Sequence, residues 1–212
     1  MTHTVTLRYI FDPLCGWCYG ASETIAALSA HPQVEVIPMP CGLFSGRGAR
    51  SMDGFAAHAW QADQRIAGMT GRTFSEAYRR DVLGAKGGKL DSSVATLALT
   101  AVAEDAPERE IEMLKVLQEA RYVGGKDVTS RSVVAALLTD CGLPDSAARV
   151  TSPDRPLLQS VQTRIAASQS LMAEFGLNGV PAVLIGSRAS RPLDSGVLYA
   201  GTAKTLAALG LA

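Results

Sequence analysis

The first forty residues alternate between strand-like and helix-like spacing of apolar positions. Residues 5–11 form an apolar run rich in β-branched and aromatic side chains, which predicts a strand. Residues 15–30 show helical spacing, and residues 34–37 alternate as a second strand. This order predicts a strand–helix–strand unit with a crossover helix.

The middle of the chain, residues 51–143, shows helical patterns and almost no strand pattern. Asp91, Ser92 and Ser93 precede one of its apolar segments, and we interpret them as a helix cap. Several consecutive helices between two strand regions are typical of a helical insertion. We therefore expect residues 49–149 to form this insertion.

The last third returns to mixed structure. Residues 157–175 predict a long helix, and residues 180–185 predict a strand with a proline at its head. Residues 196–201 are a second strand candidate, and residues 202–209 predict a short final helix. We expect the two strands to pair in an antiparallel manner and to complete the sheet that begins near the N-terminus.

Length and composition bound the class of protein. The chain has 212 residues, 47% apolar and 19% charged, which suits one soluble α/β domain of residues 1–48 and 150–212 that carries the insertion. Lysine plus arginine equals aspartate plus glutamate at 20 each, so no basic field attracts nucleic acid or a membrane surface. No secretion signal or membrane-spanning stretch is visible, and we expect a cytoplasmic protein.

Cys15 and Cys18 are the strongest chemical signal. They stand three residues apart, where the first strand gives way to the first helix. The helix N-terminus favours a thiolate at Cys15, and Cys18 lies one turn later on the same face. This arrangement predicts thiol–disulfide exchange, in which Cys15 attacks a substrate disulfide and Cys18 resolves the mixed disulfide.

A zinc site is the alternative for a Cys-x-x-Cys pair. It needs two further ligands at a suitable spacing, and Cys41, Cys141 and the histidines form no second pair, so we expect no metal. Cys41 and Cys141 are interpreted as small buried apolar residues, with a regulatory disulfide at Cys41 as the alternative.

Two short segments resemble those of a known family. The segment Cys15-Gly16-Trp17-Cys18-Tyr19, preceded by Asp12-Pro13-Leu14, and the segment Gly179-Val180-Pro181-Ala182 are similar to the DsbA family of the thioredoxin superfamily. The signal-less, FrnE-like predicted disulfide isomerases are more similar than periplasmic DsbA. The resemblance implies a thioredoxin-like fold with a mixed four- or five-stranded sheet, an inserted all-helical subdomain, and oxidoreductase or isomerase activity.

The resemblance also implies a substrate-binding loop. In the family, the proline corresponding to Pro181 is cis and lies beside the dithiol. A cis bond there would turn the backbone of Val180 toward the sulfurs, where an extended substrate can pair with it. Trp17 is either a stacking surface for substrate or an aromatic cover over the cysteine pair.

Two residues near the cysteine pair, Tyr9 and Asp12, bear on how the Cys18 thiol loses its proton. Many thioredoxin-like proteins carry a carboxylate six residues before the nucleophile, but that position here is Tyr9, a poor base. Asp12 is a candidate proton acceptor for Cys18 through water. An Asp-Pro pair before a helix is also ordinary turn chemistry, and this is the interpretation that we favour for Asp12.

The expected substrates are protein or small-molecule disulfides and dithiols. The reaction needs no cofactor, and glutathione or a thioredoxin-type partner is the candidate for recycling. Gly16 and Trp17 add no positive charge near Cys15, which favours a reductant or isomerase over a strong oxidase. Arg47 and Arg50 lie in a flexible basic stretch that could bind an anion such as a glutathione carboxylate, although solvated loop arginines are commoner.

Two other functions stay open at this point. Kappa-class glutathione transferases and hydroxychromene carboxylate isomerases share the fold with its insertion, but they activate glutathione without an internal disulfide. The presence of Cys18 beside Cys15 argues against that chemistry. A third hypothesis is a partner-binding module in which the two thiols act as a redox sensor.

Overall fold

The structure is a computed structural model that describes residues 4–186 and 190–211. Its strands are β1 (Val5–Phe11), β2 (Val34–Pro40), β3 (Arg50–Ser51), β4 (Lys89–Leu90), β5 (Ala182–Ile185) and β6 (Arg191–Leu193). Its helices are α1 (Gly16–Gly20), α2 (Ser22–Ser29), α3 (Ala56–Thr70), α4 (Glu76–Tyr78, continued by one π-helical turn), α5 (Ser93–Asp105), α6 (Glu110–Tyr122), α7 (Arg131–Asp140), α8 (Pro144–Thr151), α9 (Arg155–Glu174), α10 (Gly196–Tyr199) and α11 (Thr202–Ala208).

The main sheet has four strands in the order β2-β1-β5-β6. β1 runs parallel to β2 and antiparallel to β5, and β6 is antiparallel to β5. The mixed sheet and the N-terminal strand–helix–strand unit confirm the fold class predicted from the pattern. β1 lies inside the sheet with buried side chains on both faces, including Tyr9 and Ile10, so its C-terminal end places the cysteine pair deep in the molecule.

The prediction of a strand over residues 196–201 is wrong. Gly196–Tyr199 is the short helix α10, and the fourth strand is Arg191–Leu193. The carboxylate of Asp194 accepts the backbone N–H of Gly196 at 2.9 Å, which starts a helical turn. A short apolar run fits a strand or a buried helical turn equally well, and periodicity cannot separate them.

Two further differences concern the predicted helices. The segment 15–30 is two helices, α1 and α2, that meet at Ala21. The insertion is not entirely helical, because β3 and β4 form a two-stranded antiparallel pair within it. The proposed boundaries of the insertion, 49–149, stay a prediction.

One hydrophobic cluster joins the sheet to the insertion. It includes Phe11 and Cys18 from the first unit and Ile66, Val102 and Leu117 from the insertion. The helices of the insertion therefore pack directly over α1 and the end of β1. Within the described residues, no helix is both long and apolar enough to cross a membrane.

Candidate active site

The cysteine pair follows the C-terminal end of β1. The chain turns at Asp12, where the backbone carbonyl accepts the N–H of Cys15 at 3.1 Å, and α1 then begins with Cys15 as its N-cap residue. Cys15 is 6% exposed and Cys18 is fully buried. The local sequence thus places the first sulfur at the start of the helix and the second inside the core.

The loop before β5 reaches the same place from the other end of the chain. The Val180–Pro181 peptide bond is cis. The Cys15 thiol donates to the backbone carbonyl of Val180, with the sulfur 3.6 Å from the oxygen. Ser195 donates its hydroxyl to the carbonyl of Pro181 at 2.9 Å. The structure therefore brings together four of the predicted residues: Cys15, Cys18, Val180 and Pro181.

The two thiols have different surroundings. Burial raises the pKa of Cys18 well above its usual range, and the neighbouring Cys15 sulfur raises it further. Tyr9 is also fully buried, and burial raises its pKa well above the usual range, with the neighbouring Cys18 and Cys15 groups acting in the same direction. Cys18 is therefore held as a neutral thiol, and Tyr9 is a neutral hydroxyl beside it.

Asp12 is buried and heavily hydrogen-bonded. Its Oδ1 accepts the N–H of Leu14 at 2.9 Å, which is the predicted turn. Its Oδ2 accepts the N–H of Phe44 at 3.1 Å and the hydroxyl of Ser92 at 2.7 Å. Burial raises the pKa of Asp12, and these three hydrogen bonds oppose the shift. Asp12 therefore connects the turn before Cys15 to the segments around Phe44 and Ser92. The sequence did not indicate the contact between Asp12 and Ser92.

Trp17 lies between the pair and the C-terminal region. It is half-buried, and its indole packs edge-on against Tyr199 of α10 with ring centroids 5.5 Å apart. It also lines a cavity beside Cys15. Both sequence-based interpretations of Trp17, a contact surface and a cover, are compatible with this position.

The cavity beside Cys15 has a volume of about 150 Å³. Its wall combines Cys15 and Gly16 with polar residues of the insertion, among them Asp63, Tyr78 and Arg121. All three polar residues are buried. Sequence analysis missed them, although charged residues at helix positions otherwise occupied by core side chains were an available signal.

Asp63 lies directly against the cysteine segment. A Cβ atom on Gly16 would come within 2.5 Å of its Oδ1, so only glycine fits beside this carboxylate. The hydroxyl of Tyr78 donates to Asp63 Oδ2 at 3.0 Å. Burial raises the pKa of Asp63 to about 7, with smaller opposing effects from Tyr78 and Arg121.

Three other residues singled out in the sequence, Cys41, Cys141 and Arg50, do not form part of the site around Cys15 and Cys18. Cys41 is buried, and burial raises its pKa to about 12, while Cys141 is half-buried. Neither forms a disulfide. Arg50 is exposed and stacks over the rings of Phe44 and Phe55, 5.9 and 5.5 Å from their centroids. Among residues 4–186 and 190–211, no group of three His, Cys, Asp or Glu side chains is arranged to hold a metal ion.

Comparisons with known proteins agree with this geometry. Residues 6–198 match the family model described as a DSBA-like thioredoxin domain. The structure is similar to the cytosolic disulfide reductase DsbM from Pseudomonas aeruginosa, with a TM-score of 0.86, 30% identity and coverage of 97% of each chain. A structure of that reductase with GSH gives a TM-score of 0.82 at the same identity and coverage.

A more distant neighbour shows the fold alone. DsbA from Pseudomonas aeruginosa is 13% identical, with a TM-score of 0.56, over 99% of this chain and 82% of that one. A search of curated proteins finds no match.

Proposed function

The chain belongs to the DSBA-like thioredoxin domain family and is a thiol–disulfide oxidoreductase, and we propose that it reduces disulfides through Cys15 and Cys18. The observation that carries the proposal is the joint position of Cys15 at a helix start and beside the Val180 carbonyl. A disulfide sulfur that approaches Cys15 there meets both the nucleophile and the backbone of Val180.

In the first step the Cys15 thiolate attacks one sulfur of the substrate. A new bond forms between Cys15 and that sulfur, the substrate S–S bond breaks, and the other substrate sulfur leaves as a thiolate that takes a proton. The helix N-terminus stabilises the attacking thiolate. We assign to Val180 and Pro181 the binding of substrate backbone during this step, and to Trp17 an apolar contact with it.

In the second step Cys18 attacks the Cys15 sulfur. The Cys15–Cys18 disulfide forms, the second substrate sulfur leaves as a thiol, and two electrons have passed from the protein to the substrate. Because burial keeps Cys18 protonated, this step needs a base. Asp12 is the proposed acceptor, since it is buried in the turn that leads into α1 and burial raises its pKa, which makes the carboxylate a stronger base.

Recycling of the disulfide requires an outside reductant. We propose glutathione for this role, because the similar reductase DsbM has been solved with GSH. A cytoplasmic location, where glutathione keeps thiols reduced, fits this direction of electron flow. No bound cofactor takes part in the proposed reaction.

Equilibration in graded glutathione buffers tests the proposal. Each cysteine is followed by alkylation and mass mapping. We expect a reversible two-electron couple between Cys15 and Cys18 with a potential of about −200 to −270 mV, the range of cytosolic reductants. A potential near about −120 mV would indicate an oxidase instead. A lone glutathione adduct on Cys15 without a Cys15–Cys18 disulfide would contradict the exchange mechanism and favour a glutathione transferase.

A further inference from the structure

Arg121 is a buried cation with unused hydrogen-bond donors. Its side chain is 1% exposed, and its Nε and Nη1 atoms have no hydrogen-bond partner within the described chain. Its guanidinium lies 5.5 Å from the ring centroid of Tyr78 and 5.8 Å from that of Tyr122. A buried guanidinium is normally paired with an acceptor, so these two donors are unsatisfied. Both atoms are shielded in this structure, and a ligand in the cavity reaches them when the Arg121 side chain shifts toward it.

The neighbouring carboxylate does not neutralise Arg121 fully. Asp63 accepts a hydrogen bond from Tyr78, and it acts on Arg121 only through its charge. Its pKa of about 7 means that a large fraction of Asp63 is protonated at neutral pH. Asp12 is a second carboxylate whose charge acts on Arg121, but its oxygens already accept hydrogen bonds from Leu14, Phe44 and Ser92. Within the described residues neither carboxylate pairs with Nε or Nη1 of Arg121, so an added anion in this poorly solvated place can supply the missing acceptor.

The cavity connects Arg121 to the reactive sulfur. Cys15 and Arg121 line the same space, together with apolar side chains such as Leu14 and Ile66. Tyr122, next in the chain to Arg121, donates its hydroxyl to the carbonyl of Leu14 at 2.7 Å. A volume of about 150 Å³ corresponds to about five water molecules, which is enough for a short alkyl chain with a terminal carboxylate.

We propose that this cavity is a subsite for the carboxylate arm of a small disulfide, and that Arg121 binds the carboxylate while Cys15 attacks the sulfur. The inference rests on the proposed exchange function and narrows its substrate class. The apolar walls contact the alkyl chain, and the arm stays in the cavity in the mixed disulfide. Folded proteins whose disulfides lack such an arm gain nothing from the subsite.

Single-turnover kinetics with matched disulfides test the subsite. Reduced protein is mixed with excess 3,3′-dithiodipropionate, bis(2-hydroxyethyl) disulfide or cystamine, which carry anionic, neutral and cationic arms. We expect the anionic compound to oxidise the Cys15–Cys18 pair about 10-fold faster than the neutral one, as a hydrogen bond to a charged group allows. Glutathione disulfide, run in parallel, shows whether a peptide carboxylate uses the same subsite.

Variants of Arg121 separate binding from structure. In Arg121→Met, the rate with dithiodipropionate should fall about 10-fold, and the rate with the hydroxyethyl compound should change by less than about 3-fold. Arg121→Lys should recover part of the preference because it keeps the charge. The control is Arg164→Met. Arg164 forms an ion pair of 2.6 Å with Glu110 and does not line the cavity, so its substitution should leave the preference intact.

Protection of Cys15 from alkylation can be measured in the wild-type protein, so the test does not depend on whether an Arg121 variant folds. Butyrate should slow the alkylation of Cys15 by iodoacetamide, whereas butanol at the same concentration should not. Because the carboxylate of Asp63 repels a second anion, protection should be stronger at pH 6 than at pH 8, and Asp63→Asn should remove this difference. The Asp63→Asn comparison is needed because other ionisable groups line the cavity, namely Cys15, His58, Tyr78, Arg121 and Tyr122. Asp12 also acts on Arg121 through its charge.

The outcomes distinguish failure of the carboxylate subsite from failure of the exchange function. Equal wild-type rates with anionic and neutral disulfides, or equal losses with both in Arg121→Met, would overturn the subsite and leave the exchange function in place. If none of the disulfides oxidises the Cys15–Cys18 pair, the exchange function itself fails.

Discussion

The sulfur of Cys15 lies 3.6 Å from the carbonyl oxygen of Val180, although 165 positions separate the two residues in the chain. The contact brings the start of α1 and the loop before β5 together. The proposed binding of substrate backbone at Val180 rests on this contact.

The proposed roles of the two thiols, attack by Cys15 and resolution by Cys18, predict that an intermediate can be trapped. In Cys18→Ser the Cys15 thiolate can still attack, but nothing resolves the product, so a mixed disulfide at Cys15 should accumulate. Mass spectrometry after incubation with a disulfide substrate measures it. Cys41→Ser, which removes a buried thiol that the mechanism does not use, should turn over like the wild type. A Cys18→Ser protein with unchanged steady-state rate would contradict the assignment.

Gly16 should resist substitution for a local steric reason. In Gly16→Ala the new Cβ would lie 2.5 Å from Asp63 Oδ1, and Asp63 cannot move without weakening its bond from Tyr78. We expect a loss of about 1–3 kcal/mol in the free energy of unfolding, measured with urea.

The matched control lies on the same helix as Asp63. Gly68 is exposed in α3, and a Cβ there meets no atom within 4 Å. Gly68→Ala should raise the unfolding free energy by about 0.5–1 kcal/mol through helix propensity. Similar effects of the two substitutions would show that Gly16 is not confined by Asp63.

Asp63 should make stability depend on pH. Its folded pKa of about 7 exceeds the ordinary value of 3.8, so folding favours the protonated form. Its stabilising contribution is complete below about pH 4 and is lost as pH rises through 7. Between pH 5 and 8.5 the wild type should therefore lose up to about 3 kcal/mol relative to Asp63→Asn. Urea titrations at both pH values measure this difference, and parallel pH profiles would contradict the burial of an ionisable Asp63.

The proposed proton transfer to Asp12 predicts a kinetic effect. In Asp12→Asn the amide cannot accept the Cys18 proton, and resolution of a preformed Cys15 mixed disulfide should slow by about 100-fold. Stopped-flow release of a chromophoric thiol measures the step. Ser92→Ala, which removes one hydrogen bond to Asp12 but keeps the carboxylate, should resolve at nearly the wild-type rate. An unchanged rate in Asp12→Asn would contradict proton transfer to Asp12 and would show that this residue only stabilises the turn before Cys15.

The sequence by itself determined the reaction class and most of the helices and strands. Cys15 and Cys18 at a strand-to-helix junction indicated dithiol exchange, and local apolar patterns predicted the strands near residues 5–11, 34–37 and 180–185. The resemblance at Pro181 implied the cis bond that the structure contains. The strands, the helices and the cysteine pair depend on neighbouring residues, which is why periodicity and spacing could predict them, whereas the cis bond came from the family resemblance.

Only the tertiary structure decided what surrounds the sulfurs. Asp63 and Arg121 come from different helices of the insertion, and their meeting beside Cys15 depends on how those helices pack. The hydroxyl of Ser92 was expected to take part in a helix cap, yet it donates to Asp12, 80 positions away. Apolar spacing tells which face of a helix is buried but not against which partner, so the lining of the cavity could not be predicted from the sequence.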